Sequence, residues 1–338
     1  MPVLTRRWFL GSAATVGLVL AGGSLFAGCV HQMLPGAEPP GRVAHLGVLA
    51  LTSAEDNAPH IAAFTAGMRD LGYTVGINLV IDERYAGGRE ELLPDLANDL
   101  VQRRVDVLVT GSTQATLAAL QATHRIPIVF TNSGDPLGAG LVASLARPGG
   151  NATGLTSLNR ELAGKRIELL RSASPNIKRV AVLWSDTAER DVNETRAAAF
   201  WLGLQVDAIR VGRPDDLQQS LQQTLASRPD ALVAISTPLI NSFADQIARF
   251  ALEHRLPTIS EQREFAAAGG LMAYGANVVE LSQRAATYVD KILSGAQPAD
   301  LPVERAERFE MTINLRTLQA LNLVLPQPLL LQAAEVVS

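Results

Sequence analysis

Two successive stretches of the chain alternate short apolar runs with helix-period patterns, and this alternation restricts the fold more than any other feature. Apolar runs at 43–51, 105–110 and 126–131 read as strands, and 79–85 alternates like a half-buried strand. Between the first two, residues 58–72 place Ile61, Phe64, Met68 and Leu71 on one helical face. Residues 89–104 repeat Leu92/Leu93, Leu96/Ala97 and Leu100/Val101, a broad apolar helix face. The order is βαβαβαβ, the pattern of a parallel sheet covered on both faces. Residues 145–155 carry Pro148-Gly149-Gly150 and interrupt the pattern, as a crossing between two lobes would. It then restarts, with strands predicted at 179–184, 204–210, 231–235, 258–259 and 270–273. Helices are predicted at 160–173, 188–202, 214–227, 240–254 and 278–294. At 338 residues the chain has room for about two lobes of 100–200 residues each. The fold class is therefore α/β, two doubly wound, Rossmann-like lobes. Sheets of that kind bind ligands beyond the carboxyl ends of their strands, which places the site in the cleft between the lobes.

Residues 1–28 have a different grammar. Thr5-Arg6-Arg7-Trp8-Phe9-Leu10 leads into an apolar run, rich in Gly and Ala, that reaches Phe26. A basic segment before such a run reads as a secretory signal, with a single membrane anchor as the alternative. The pair Arg6-Arg7 followed by Phe9-Leu10 resembles a twin-arginine export signal, with ordinary Sec export as the alternative. The run ends Ala27-Gly28-Cys29, which resembles a bacterial lipobox with Phe26 where Leu is usual. Cys29, the only cysteine, would be the lipidated first residue, and 29–41 a tether rich in Pro and Gly. Val30 is not Asp, so no inner-membrane retention signal is evident.

Several function classes are excluded. A net charge of −4 with no basic run argues against nucleic acid. One cysteine permits no internal disulfide framework, and five scattered histidines contain no HExxH. There is no G-x-S-x-G, no P-loop and no G-x-G-x-x-G opening a helix. No catalytic residue, cofactor or metal is expected, and the chain does not read as an enzyme.

The predicted strand ends carry the candidate ligand-binding residues. They are Thr52 and Ser53; Gly111, Ser112 and Thr113; Asn132 and Asp135; Trp184 and Asp186; Ser236 and Thr237; Glu261; and Tyr274. Gly-Ser-Thr entering a helix offers N–H groups, hydroxyls and a positive dipole end to a carboxylate, but Ser112 or Thr113 could equally be a helix cap. Asp135, Asp186 and Glu261 could each meet a ligand ammonium or sit at an exposed helix start. Trp184 and Tyr274 could stack on an apolar ligand or simply pack.

Residues 126–156 (IPIVFTNSGDPLGAGLVASLARPGGNATGLT), 265–304, 309–323, 64–88 and the 111–116 loop (GSTQAT) carry a family resemblance. Together they are similar to bacterial ABC transporter substrate-binding proteins of the tryptophan-binding-like family. The resemblance covers about 42–337. It implies a type I periplasmic-binding-protein fold, with three crossings and two lobes that close on a small molecule without catalysis. It places lobe 1 at 42–152 plus 276–308 and lobe 2 at 153–275 plus 309–338. It matches Ser112 and Thr113 to the hydroxylated loop and Asp135 to the Gly-Asp-Pro motif. The function expected is a receptor of an ABC importer in the periplasm or cell envelope, touching the membrane through a lipid anchor only. It would capture an amino acid or related carboxylate and present it to a permease with its ATPase. The alternative is a ligand sensor feeding a membrane signalling protein. Two lipid chains anchor a protein stably where one is marginal. Cys29→Ser is therefore expected to move the protein from the membrane to the soluble periplasmic fraction. A variant that stays processed and membrane-bound on fractionation overturns the lipobox.

Overall fold

The computed structural model describes residues 43–159 and 161–337, so Arg6, Arg7, Cys29 and the tether lie outside the described residues. The first half runs β1 (Ala44–Ala50), α1 (Ala54–Asp70), β2 (Leu79–Tyr85), α2 (Leu93–Gln102), β3 (Val107–Thr110), α3 (Thr113–Ala122), β4 (Ile128–Ser133) and β5 (Ala152–Thr156). α1 starts four residues before the periodicity suggests, because Ser53 caps it and Pro59 is carried inside the helix.

The chain then runs α4 (Ala163–Ala173), β6 (Arg179–Trp184), α5 (Glu189–Trp201), β7 (Gln205–Arg210), α6 (Leu217–Ala226), β8 (Ala231–Ala234), α7 (Pro238–Ser242), α8 (Ala244–Glu253), β9 (Thr258–Ser260), α9 (Arg263–Ala267) and β10 (Met272–Ala276). It closes with α10 (Val278–Leu293), β11 (Glu304–Arg305), β12 (Phe309–Asn314), α11 (Leu315–Ala320), α12 (Gln327–Gln332) and β13 (Ala333–Val337).

Two sheets result. The first has the order β11-β5-β4-β3-β1-β2 and is parallel throughout. The second has the order β13-β12-β10-β9-β8-β6-β7, parallel except for the β10–β12 pair. β5 belongs to the first sheet, so the chain leaves it after Thr156, beyond the Gly-rich break at 145–155. It leaves the second sheet after Ala276, adds α10 and β11 to the first, and re-enters the second at Phe309.

Each sheet is buried on both faces, as parallel sheets require. In the first lobe, one apolar layer joins Leu46, Val48, Phe64, Met68, Ala285 and Val289. The opposite layer joins Leu49, Leu93, Leu100, Leu108, Ala119 and Phe130. The second lobe repeats the arrangement around Val180, Val182 and Ile259 on one face and Leu183, Leu232 and Ile247 on the other. With faces covered, what remains free is the row of loops at the strand carboxyl ends.

The contact between α1 and α10 holds the returning segment to the first lobe. It depends on Gly67, where a Cβ would lie 2.5 Å from the Gln283 carbonyl oxygen and 2.9 Å from Ala286 Cβ. Gly67→Val is expected to force the helices apart and cost about 1–3 kcal/mol, read as a lowered melting temperature.

Candidate functional site

The first-lobe wall is made of hydroxyls and helix starts. Ser53 Oγ accepts the Asp56 N–H at 3.1 Å and donates to Asp56 Oδ2 at 2.7 Å, and the Thr52 carbonyl accepts the Gly87 N–H at 3.3 Å. Gly111 donates its N–H to the Leu49 carbonyl at 3.3 Å. Ser112 Oγ caps α3 by accepting the Ala115 N–H at 3.2 Å. Thr113 is left to reach across the wall, where its Oγ1 lies 3.0 Å from Ser133 Oγ at the end of β4. Next to Ser133, Asn132 Oδ1 is buried and has no hydrogen-bond partner among the described residues.

The second-lobe wall carries charge. Glu261 follows β9 and is buried, with its side chain 2% exposed. Its Oε2 accepts the Ser236 N–H at 2.6 Å, and its Oε1 lies 3.0 Å from Arg166 Nη2 without forming an aligned hydrogen bond. Arg166, also 2% exposed, donates from Nη2 to the Asn159 carbonyl at 2.6 Å and from Nη1 to the Tyr274 carbonyl at 3.5 Å. Thr237 caps α7 through the Ile240 N–H at 3.2 Å and accepts a bond from Ser185 Oγ at 2.9 Å. Ser236 Oγ pairs with the Asn241 amide. Trp184 ends β6 half-buried, with its Nε1 unpartnered among the described residues. The Tyr274 ring lies 6.5 Å from that of Phe309. Asp186 sits on the surface, where the Arg210 guanidinium grips its carboxylate and holds it below the usual range.

The walls meet at three places. Asp135 Oδ1 accepts the Gly138 N–H at 2.8 Å, closing a turn rather than capping a helix. Its Oδ2 lies 3.3 Å from Arg190 Nη1 on α5 of the other lobe. A Cβ at Gly138 would fall 1.8 Å from that Nη1, so only glycine lets the guanidinium in. Glu90 of the first lobe is pushed up by burial, by Glu91 and by Asp186 of the second. His60 on α1 is pushed down by burial and up by Glu264. It borders a cleft of about 420 Å³, open to solvent, shared with Glu261, Asn277 and Glu310.

Burial also pushes Asp191, next to Arg190 on α5, up to about 6; Glu261 adds to the shift, Arg166 opposes it and Asp135 adds to it. These three influences come from both lobes. Arg166, Arg190 and Asp191 are not evident from strand-end reasoning. One signal does exist for Arg166: it stands at the spacing of Ala163, Ile167 and Leu170, inside an apolar helix stripe. The described residues hold no cluster of His, Cys, Asp and Glu fit for a metal, and no helix long and apolar enough to cross a membrane.

Residues 46–337 match the family of ABC transporter substrate binding proteins. A tyrosine-binding protein of Clostridioides difficile is 27% identical over 263 residues, 77% of this chain and 75% of that protein. The crystal structure of an ABC domain in complex with L-Trp, from Streptococcus pneumonia, superposes with a TM-score of 0.82 at 26% identity. It covers 87% of this chain and 99% of that one. A ligand-free, open structure of a substrate binding protein with adhesive properties, from Clostridium difficile, gives 0.67 at 24% identity, covering 88% and 100%. The fold is that of the type I periplasmic binding proteins.

Breaking one side of a buried ion pair leaves an uncompensated charge, at about 3–5 kcal/mol. Arg166→Met is expected to cost that much in denaturant unfolding, and Arg166→Met/Glu261→Met to recover most of it.

Proposed function

The chain belongs to the family of ABC transporter substrate binding proteins, and we propose that it captures an α-amino acid with an aromatic side chain for an importer. The observation that carries this reading is the asymmetry of the two cleft walls. The first wall offers hydroxyls and the start of α3, which suits a carboxylate. The second offers the buried Glu261 and partly buried Asp191 carboxylates together with half-buried Trp184 and Tyr274, which suits an ammonium and a flat apolar group. A zwitterion with an aromatic side chain satisfies both walls at once. The ligands named for the tyrosine-binding relative and the L-Trp complex support the same class.

In this reading Thr113, Ser133 and the free N–H groups of the α3 start hold the carboxylate. Closure then presents both lobes to the permease of the importer. The ligand drives it by binding the closed form better than the open one. The protein would work outside the inner membrane, held by the lipid on Cys29.

Calorimetric titration with L-tryptophan, L-tyrosine, L-leucine and L-glutamate tests the class. Binding of the two aromatic amino acids in preference to the others is expected. A charge-assisted hydrogen bond contributes about 1.5–3 kcal/mol. Thr113→Ala should therefore weaken aromatic amino acids by roughly tenfold or more with an unchanged thermal melt. Absence of any stabilisation by millimolar amino acid overturns the reading.

A further inference from the structure

We propose that Asp191 receives the ammonium group of the ligand; this rests on the amino-acid reading above. The assignment follows from which cleft carboxylates are already engaged. Asp135 is held by the Gly138 N–H and Arg190. Asp186 is gripped by Arg210 on the surface. Glu261 faces Arg166 and accepts the Ser236 N–H. Asp191 lies in the first turn of α5, directly after the residue that bridges the two lobes, and is only partly exposed. Its carboxylate accepts the backbone N–H of Asp191 itself, and no side-chain hydrogen bond or ion pair to it is found among the described residues.

Two further observations point to the same missing group. Glu261 Oε1, on a side chain 2% exposed, accepts no aligned hydrogen bond, and Asn132 Oδ1 across the cleft accepts none. Both of these oxygens lack a donor, whereas the Trp184 Nε1 donor lacks an acceptor. The charges agree: Asp135, Asp191 and Glu261 stand against Arg166 and Arg190, an excess of one carboxylate. A group with three N–H donors and one positive charge corrects both deficits, whereas a ligand carboxylate placed here would worsen them. Burial favours the neutral form of Asp191 most, Glu261 and Asp135 add to that, and Arg166 and the backbone N–H of Asp191 favour its ionised form. An ammonium would restore the ionised form, so binding requires loss of the proton and weakens as pH falls through about 6.

The test is a cycle of two ligands and two proteins. The full mature chain and its Asp191→Asn variant are titrated with L-tryptophan and with indole-3-propionate, which lacks the amine, and each protein is melted. Asp191→Asn is expected to weaken L-tryptophan by roughly ten- to a hundredfold while leaving indole-3-propionate unchanged or tighter. The wild type should bind L-tryptophan more weakly at pH 5 than at pH 8. Should the variant not fold, the wild-type preference for the amine and its pH profile decide. A variant that weakens both ligands alike or neither, or a flat wild-type profile, overturns the assignment of Asp191 while leaving the amino-acid reading in place. If L-tryptophan, L-tyrosine and other amino acids all fail to bind the wild type, that reading falls and the assignment with it.

Discussion

Arg166 is a guanidinium without water, and the second lobe is arranged around its needs. A buried charge persists only where a counter-charge and acceptors surround it. Glu261 supplies the charge. The acceptors are backbone carbonyls of Asn159, in the passage from the first sheet to α4, and of Tyr274, just before the chain passes back through Asn277. One side chain thus ties the start of α4, the loop after β9 and two of the three passages between lobes. The cleft wall and the connections that let the lobes move share a single electrostatic centre.

The strand pattern was largely legible in the sequence, because buried strands must be continuously apolar whatever the neighbouring chain does. The alternating stretch at 79–85 and the apolar run at 179–184 coincide with β2 and β6. β11, two residues long, and β13, with exposed positions throughout, lack that signature and owe their form to partners distant in sequence. β5 was hidden by its own residues, since Ala152-Thr153-Gly154 follows a Pro-Gly-Gly break and reads as loop. The helix caps at Ser53, Ser112 and Thr237 follow from local chemistry and could be anticipated. The partners of the acidic residues could not. Whether Asp135, Asp186 and Glu261 face Arg190, Arg210 and Arg166 depends on how elements 24 to 95 residues apart in sequence come together. Asp191 reads as a solvated helix start among Glu189, Arg190 and Glu194, and only tertiary packing makes it otherwise.

The contacts between lobes are of a different kind from those within them. Inside each lobe the apolar layers are buried, and in the second lobe the Arg166–Glu261 pair is buried too. Between lobes, Asp135 meets Arg190 at 3.3 Å, but the Arg190 side chain remains 59% exposed. An ion pair so open to solvent is worth little and weakens with salt. The ion pair between the lobes is therefore weak, and the like charges of Glu90 and Asp186 work against it.

Weak side-chain coupling of that kind suits a receptor. A protein that closed strongly on its own would expose no site, and one that resisted closure strongly would spend ligand affinity on bringing the lobes together. With that coupling weak, the deciding contribution is whatever occupies the cleft and touches both walls. The wall chemistry makes that contribution selective. In the proposed reading the first-lobe wall meets a carboxylate through the hydroxyls and N–H groups at the start of α3, and the opposite wall meets an ammonium. A ligand with only one of these ends satisfies one lobe and leaves the other as it was, so its binding gives no preference for the closed form. If the ligand is the proposed zwitterion, a molecule carrying both ends at the right separation couples the lobes, and its selectivity then resides in closure itself rather than in either wall alone.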